Sequence, residues 1–204
     1  MVSEPAKPPS AGVTCSPSAG VAAWALGNVS DPGAFRLAMR RMVSGVTVVT
    51  TRHEGRPWGM TVNAFSSVCA EPPTVLVCVN NRTVTAVDIT RDGRFAVNLL
   101  SQDQLFLSRL CARPGEVKYL DDYTVRPDEL PGRATMPVLR DSLATFDCRV
   151  SDARPVGTHF VVIGTVEAII TPAPLTPLLY GEGRYLHGVA ISEAPAMLGA
   201  MAWA

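Results

Sequence analysis

Six or seven runs rich in Val, Thr, Ile and Phe predict a mainly β protein, a closed antiparallel barrel decorated by short helices. Two further observations support that class. Turn-forming Gly, Pro and Asp residues separate the runs, and only three segments carry a helical pattern. The 204 residues suffice for one domain with a good core, plus arms.

The elements follow in order. Residues 1–30 are rich in Pro, Ala, Ser and Gly and are expected to form a flexible arm, with "VAAWALG" (residues 21–27) as its one apolar docking segment. In "SDPGAFRLAMRRMVSG", Ser30 or Asp31 can cap a helix, Pro32 can open it and Gly45 can end it. Phe35, Met39 and Met42 fall on one face, which predicts a core-facing stripe. "VTVVTTR" (Val46–Arg52) reads as a strand, "HEGRP" as a turn holding an exposed His53, and "GMTVNAFSSV" (Gly59–Val68) as the returning strand of a hairpin.

"PPTVLVCVN" is a buried strand, "TVTAVDITRDG" a short helix closed by Gly93, and "RFAVNLL" another strand. Ser101 and Gln104 have capping-box spacing, so a helix should run from there to about Cys111. Residues 112–137 read as a long irregular crossing loop. Two long strands then flank a turn at Asp152–Gly157, and "PLLYGEGRYLHG" forms a last short hairpin. Strands apolar on both faces suggest a barrel that also packs against a partner, and the apolar tail 191–204 is expected to be buried, on a second subunit for example.

Composition excludes several functions. Hydrophobic residues make up 47% and charged residues 18%, with a formal net charge of zero, which argues against nucleic-acid binding. No run of about 20 apolar residues suggests a membrane span. Glu4 and the early prolines do not suit a signal peptide. The five cysteines show no C-x-x-C pair or metal-ligand spacing, so no metal is expected and a reducing cytoplasm is the simplest location. No H-E-x-x-H, G-x-S-x-G or Walker pattern occurs.

What remains is the strand "GMTVNAFSSV". Its polar positions are Thr61, Asn63, Ser66 and Ser67, all small and neutral where a solvent face would carry Lys or Glu. Such donors and acceptors suit a flat, neutral heterocycle, and a flavin ring is one. A flavin carries its own reactive atoms, so few catalytic side chains are needed.

The ordered segments "FRLAMRRMVSGVTVVTT", "GMTVNAFSSVCAEPPTVLVCVNNRTVTA", "GRFAVNLLSQDQ", "GTHFVVIGTVEAI" and "PLLYGEGRYLHG" resemble the flavin reductase family. The likeness is strongest to reductase components of two-component flavin-dependent monooxygenases. It implies a dimeric FMN-binding split β-barrel over residues 31–190. It also implies hydride transfer from NADH or NADPH to FMN or FAD, with reduced flavin passed to a separate oxygenase component.

Carried over by position, the resemblance places Thr61, Val62, Asn63 and Ala64 on the flavin ring, with Ser66 and Ser67 along the same edge or the ribityl chain. Asn80, Asn81, Arg82, Thr83 and Thr85 would hold the phosphate at a helix N-terminus. Lys118 and Tyr119 would approach the flavin, and Arg184 and Tyr185 would lie beside the active site. His159 would seat the nicotinamide or its phosphates. Its usual Asp neighbour in the family is Thr158 here, so no His–Asp acid–base pair is expected.

Taken singly, each feature has an ordinary explanation: a strand edge, a helix cap, a surface histidine, a solvated loop lysine at 118, core methionines at 39 and 42. Alternatives are a non-catalytic flavin-binding protein or electron carrier of the same fold, a pyridoxine-phosphate oxidase relative, and a cofactor-free interaction module. The oxidase would need more phosphate-binding cations than Arg82 supplies.

Overall fold

The computed structural model describes residues 27, 29–130, 132, 134–172 and 174–189. Residues 21–26, most of the predicted arm and the apolar tail 191–204 lie outside the described residues. The chain separates into two units, residues 1–37 and 38–204.

In the first unit, α1 (Pro32–Met39) begins as its sequence predicts. The Asp31 carboxylate accepts from the Gly33 and Ala34 N–H groups at 2.8 and 3.2 Å. Phe35 is 65% exposed, so it is not the core residue its spacing predicted.

In the second unit, the helix stops at Met39, short of the predicted Gly45. The Arg41 and Met42 N–H groups bond three residues back, to Ala38 and Met39, which tightens the last turn. The Arg40 carbonyl instead accepts from the Glu182 N–H, which draws the chain into a sheet. Met39 and Met42 are 48% and 60% exposed, against the expected core role. Helical periodicity identifies an apolar face but not what covers it.

The strands are β1 (Ser44–Gly45), β2 (Thr47–His53), β3 (Arg56–Val62), β4 (Phe65–Ala70), β5 (Pro73–Asn80), β6 (Arg94–Leu99), β7 (Ala144–Val156), β8 (His159–Ile170), β9 (Leu178–Gly181) and β10 (Arg184–His187). The helices α2 (Val84–Asp92) and α3 (Leu105–Ala112) complete the set, with short 3₁₀ turns at 102–104, 121–123 and 127–129. Seven strands form one antiparallel sheet in the order β3-β2-β6-β7-β8-β5-β4, and β1, β9 and β10 form a smaller one. The predicted hairpins β2–β3 and β9–β10 both form. Each turns through a Glu-Gly pair at positive φ, Glu54–Gly55 and Glu182–Gly183, the conformation a two-residue hairpin loop requires.

The predicted strand 59–68 is two strands. β3 ends at Val62 and β4 starts at Phe65, and these are the two outer strands of the seven. Only Asn63 and Ala64 lie between them, so the sheet must curl until its edges nearly meet. The Phe65 N–H bonds back to the Asn63 carbonyl, and Ala64 accepts from the Cys78 N–H, both at 3.0 Å. This is the split barrel. The long hairpin also differs from expectation: β7 runs to Val156, leaving only Gly157–Thr158 to turn.

Alternation on β2 serves two cores. Val49 joins Val62, Val77, Ile89, Phe95, Val97 and Val162 in one cluster. Val48 points the other way, into a cluster with Leu100, Leu107, Cys111, Leu120 and Leu139. The second face of β2 is thus covered by the chain's own α3 and crossing loop. Asn98 pins that loop: its amide donates to the Val48 carbonyl, and its oxygen accepts from the Leu139 N–H and the Thr145 hydroxyl. Gly59 permits the close packing, because a Cβ there would sit 2.5 Å from Leu120 Cδ1.

Candidate functional site

β3 is an outer strand, so one of its edges has no strand partner. The Gly59 N–H reaches the Lys118 carbonyl on that edge, and the Pro57 carbonyl accepts from the Leu120 N–H. The period of two then directs the Thr61 N–H and C=O outward as well, beyond the point where the crossing loop departs. Side chains alternate about this edge. Trp58 and Met60 face a cleft of about 450 Å³, and Thr61 and Asn63 face a second of about 240 Å³. The half-buried Thr61 thus carries backbone groups that the sheet leaves unpaired, between two hollows.

The larger cleft runs from Trp58 and Met60 to the start of α2 and to the loop Pro114–Lys118. The sequence there makes a tight turn. Asn80 Oδ1 accepts from the Arg82 N–H at 3.0 Å, and the Asn80 carbonyl accepts from the Thr83 N–H and hydroxyl. Thr83 caps α2 by accepting from the Ala86 N–H at 3.3 Å. The Val84 and Thr85 N–H groups are left without acceptors inside the helix. Thr85 lines this cleft, and its buried hydroxyl has no hydrogen-bond partner. Arg82 is exposed and has no carboxylate partner among the described residues.

The ordinary explanation for Lys118, a solvated loop lysine, does not hold. It is 9% exposed, it lines the same cleft, and its ammonium donates to the Cys111 carbonyl at 2.9 Å. Burial pushes its pKa below the ordinary 10.5. Beside it, burial pushes the Cys111 thiol up to about 12, so that sulfur stays protonated and inert.

The smaller cleft is closed by Val46, Ser108, Tyr180 and Tyr185. The Thr61 hydroxyl donates to the Ser108 carbonyl at 2.7 Å, and Ser108 Oγ lies 2.9 Å from the Tyr185 hydroxyl. Tyr185 also packs edge-on against Tyr180.

The two clefts thus collect Thr61, Asn63, Arg82, Thr83, Thr85, Lys118 and Tyr185 from the predicted set. Val62 is different: it is buried in the first core, and its carbonyl accepts the Thr47 hydroxyl. Ala64 is exposed at the step between the sheet edges, and Ser66 and Ser67 lie beyond it on β4, exposed and lining neither cleft. Asn80 and Asn81 shape the turn before α2.

Tyr119 bridges Trp58 from outside. Its ring meets the indole edge-on at 5.2 Å, and its hydroxyl donates to Glu54, which holds its pKa above the ordinary value. Arg184 pairs with Glu182 at 3.0 Å. His159 is exposed, pairs in register with Asn80, and has its Nδ1 2.9 Å from the Thr158 hydroxyl.

Sequence reasoning missed Trp58, Met60 and Ser108. The first two share strand alternation with Val62 and could have been found from it. Ser108 is a small polar residue on the buried face of α3, beside Leu107 and Cys111. His53 is not a bland turn residue. It ends β2, half-buried, 3.2 Å from the buried Asp88 carboxylate, and packs against Trp58.

Residues 39–188 match the flavin reductase like domain, and the chain belongs to that family. Among its relatives is the reductase component of 4-nitrophenol 4-monooxygenase/4-nitrocatechol 2-monooxygenase from Rhodococcus opacus. It is 36% identical over 165 residues, spanning 80% of this chain and 85% of that one. FMN reductase (NADH) RutF 1 of Methylorubrum extorquens is 35% identical over 155 residues, 76% of each chain. A solved structure of the NADH:FAD oxidoreductase SgcE6 from Streptomyces globisporus, in complex with NAD and FAD fragments, superposes with a TM-score of 0.73. It is 26% identical, and the match covers 83% of this chain and 100% of that one. The fold is the split barrel of these reductases.

Proposed function

We propose that this chain is an NAD(P)H-dependent flavin reductase that supplies reduced FMN or FAD to a separate oxygenase component, working as a homodimer with residues 31–190 as its catalytic domain. The observation that carries this reading is the free backbone of Thr61, set between two clefts of which one ends at a helix N-terminus.

The residues present fit a flavin. The Thr85 hydroxyl, the Val84 and Thr85 N–H groups and Arg82 offer donors to a phosphate, and the Thr85 hydroxyl is otherwise unsatisfied. Trp58 and Met60 supply an apolar wall, and the Thr61 N–H and C=O face the polar edge of a ring. Bound flavin supplies the hydride-accepting chemistry. The protein's part is to hold the ring at the strand edge, to orient it between Met60 and Thr61, and to place the Lys118 cation near the negative charge that reduction creates. Ser108 fixes both Thr61 and Tyr185, so the wall of the smaller cleft is set by one buried residue.

Several supports are independent of these contacts. The Rhodococcus relative is named as a reductase component, and the Methylorubrum relative as an FMN reductase using NADH. Cys69, Cys78, Cys111 and Cys148 are free thiols, which suits a reducing cytoplasm. No helix among the described residues is long and apolar enough to cross a membrane.

The test is oxidation of NADH and of NADPH, followed by loss of the reduced-nicotinamide absorbance, with and without FMN or FAD. Flavin-dependent oxidation is expected, and the preferred pair identifies both cofactors. Tight flavin binding without oxidation would replace this reading with that of a flavin carrier.

A further inference from the structure

His53 stands between α2, which begins at the larger cleft, and Trp58, which walls it. By strand alternation Thr51 and His53 share one face of β2, and α2 packs on β2. From α2 the fully buried Asp88 carboxylate meets three donors: the Thr51 hydroxyl at 3.2 Å, the Arg91 guanidinium at 3.0 Å and His53 Nδ1 at 3.2 Å. A carboxylate only accepts, so Nδ1 donates, and the contact fixes which way the imidazole faces. The same ring meets Trp58, with centroids 5.2 Å apart, and lies stacked 6.3 Å from Tyr119. Trp58 and Tyr119 touch edge-on at 5.2 Å, so the three rings close a triangle. Tyr119 is itself held, by Glu54 through its hydroxyl and by Arg56 across its face. Trp58 lines the larger cleft, whereas His53 and Asp88 line neither.

We propose that His53 is a positioning residue for the flavin site: its ring, tethered by Asp88, buttresses the Trp58 indole and so sets the apolar wall of the larger cleft. The role rests on the reductase reading, whose flavin it helps to seat. A buried carboxylate needs its donors, and Thr51 and Arg91 already supply two. Any small donor at position 53 could supply the third. An imidazole adds what a small donor cannot, a flat face against the indole. β2 ends at His53 and the chain turns through Glu54–Gly55, so the strand offers no later residue to take that place. Without the ring, the indole has room to turn away from the cleft. The tether also joins the wall to α2. Asp88 lies one turn on from Thr85, whose hydroxyl and N–H face the phosphate end of the same cleft.

Two substitutions separate the ring from the tether. His53→Asn keeps a donor near the Nδ1 position and removes the rest of the ring. His53→Phe keeps a ring and loses the donor. Both are made in the full chain carrying Trp24→Phe and Trp203→Phe, so that Trp58 is the one tryptophan left. In the Asn variant FMN affinity should fall about three- to fivefold in a flavin-fluorescence titration, as loss of an aromatic contact implies. Acrylamide should quench Trp58 emission of that variant, free of flavin, more than it quenches the parent. The Phe variant should bind FMN within about twofold of the parent and keep Trp58 shielded. Its melting temperature should fall, because Asp88 has lost a donor. A histidine that served only to satisfy Asp88 would give the reverse order. An Asn variant that binds FMN as tightly as the Phe variant, or more tightly, would overturn the proposal. A parent chain that binds no flavin would instead refute the reductase reading. The order of the two quenching constants would then still decide whether the ring holds the indole.

Discussion

Thr61 shows how one side chain couples two elements. Its hydroxyl is committed to Ser108, so the residue meets a ligand through its backbone and positions α3 through its side chain. Thr61→Val keeps the shape and leaves the Ser108 carbonyl without its donor, which costs about 1 kcal/mol. Flavin affinity should fall about fivefold in a fluorescence titration, and the melting temperature should fall by ~2–4 °C. Unchanged affinity would show that the Ser108 contact does not set the position of the flavin edge. Lys118 gives a pH signature. Because burial lowers its folded-state pKa below the ordinary 10.5, its charge is lost at lower pH than that of an exposed lysine. Flavin affinity should therefore weaken as pH rises, with a midpoint below 10.5, and Lys118→Met should be weaker and flat across the same range. Tyr119 does not blur the assignment, since its hydrogen bond to Glu54 pushes its own titration upward. Stability moves in the opposite sense. The unfolded chain holds this proton more tightly, so the charged lysine costs stability below its folded pKa, and the cost is relieved as pH rises toward 10.5. The melting temperature of Lys118→Met relative to wild type should accordingly be highest near neutral pH and decline toward alkaline pH.

At the scale of elements, α2 joins fold to site. Thr83 caps it at the cleft, and the buried Asp88 anchors its middle to β2 through Thr51 and His53. Thr83→Ala should cost about 1 kcal/mol, seen as a lower melting temperature. It should also weaken FMN more than riboflavin, because only FMN carries the phosphate that the helix terminus holds. Equal weakening of both would move the phosphate elsewhere. This helix was legible in the sequence, since Thr83 and Gly93 bracket it and "NNRTVTA" marks its start. The strand "GMTVNAFSSV" was legible only in part: its alternation runs on through Asn63 and Ala64, and nothing local records that the sheet edges meet there. The partners of Lys118 and His53 were not legible either. Lys118 is buried where the loop folds back to the Cys111 carbonyl, and His53 meets Asp88 from α2; neither contact leaves a mark in local spacing. Ser108 was hidden because its role depends on α3 crossing β3, a tertiary fact.

For the whole molecule, the open question is what meets the apolar surface of the second unit. Met39, Met42 and Val43 are consecutive in space because they are close in sequence, and they are 48%, 60% and 51% exposed. Phe106 and Val117 are 61% and 69% exposed, and Val117 lines the larger cleft. Large side chains left open in groups mark an interface more often than a solvated face. Met39 and Met42 are not core residues, and the proposed homodimer predicts that this surface is where two chains meet. Sedimentation equilibrium should then give about twice the 21.7 kDa chain mass. The melting temperature should rise with protein concentration, because assembly stabilises the folded state by mass action. Met42→Glu places a charge in that surface without touching either cleft; it should shift the equilibrium toward monomer and make flavin reduction dependent on protein concentration. A chain that sediments as a monomer at all concentrations, with wild-type activity per chain, would show that this surface is solvated and that the reductase acts alone.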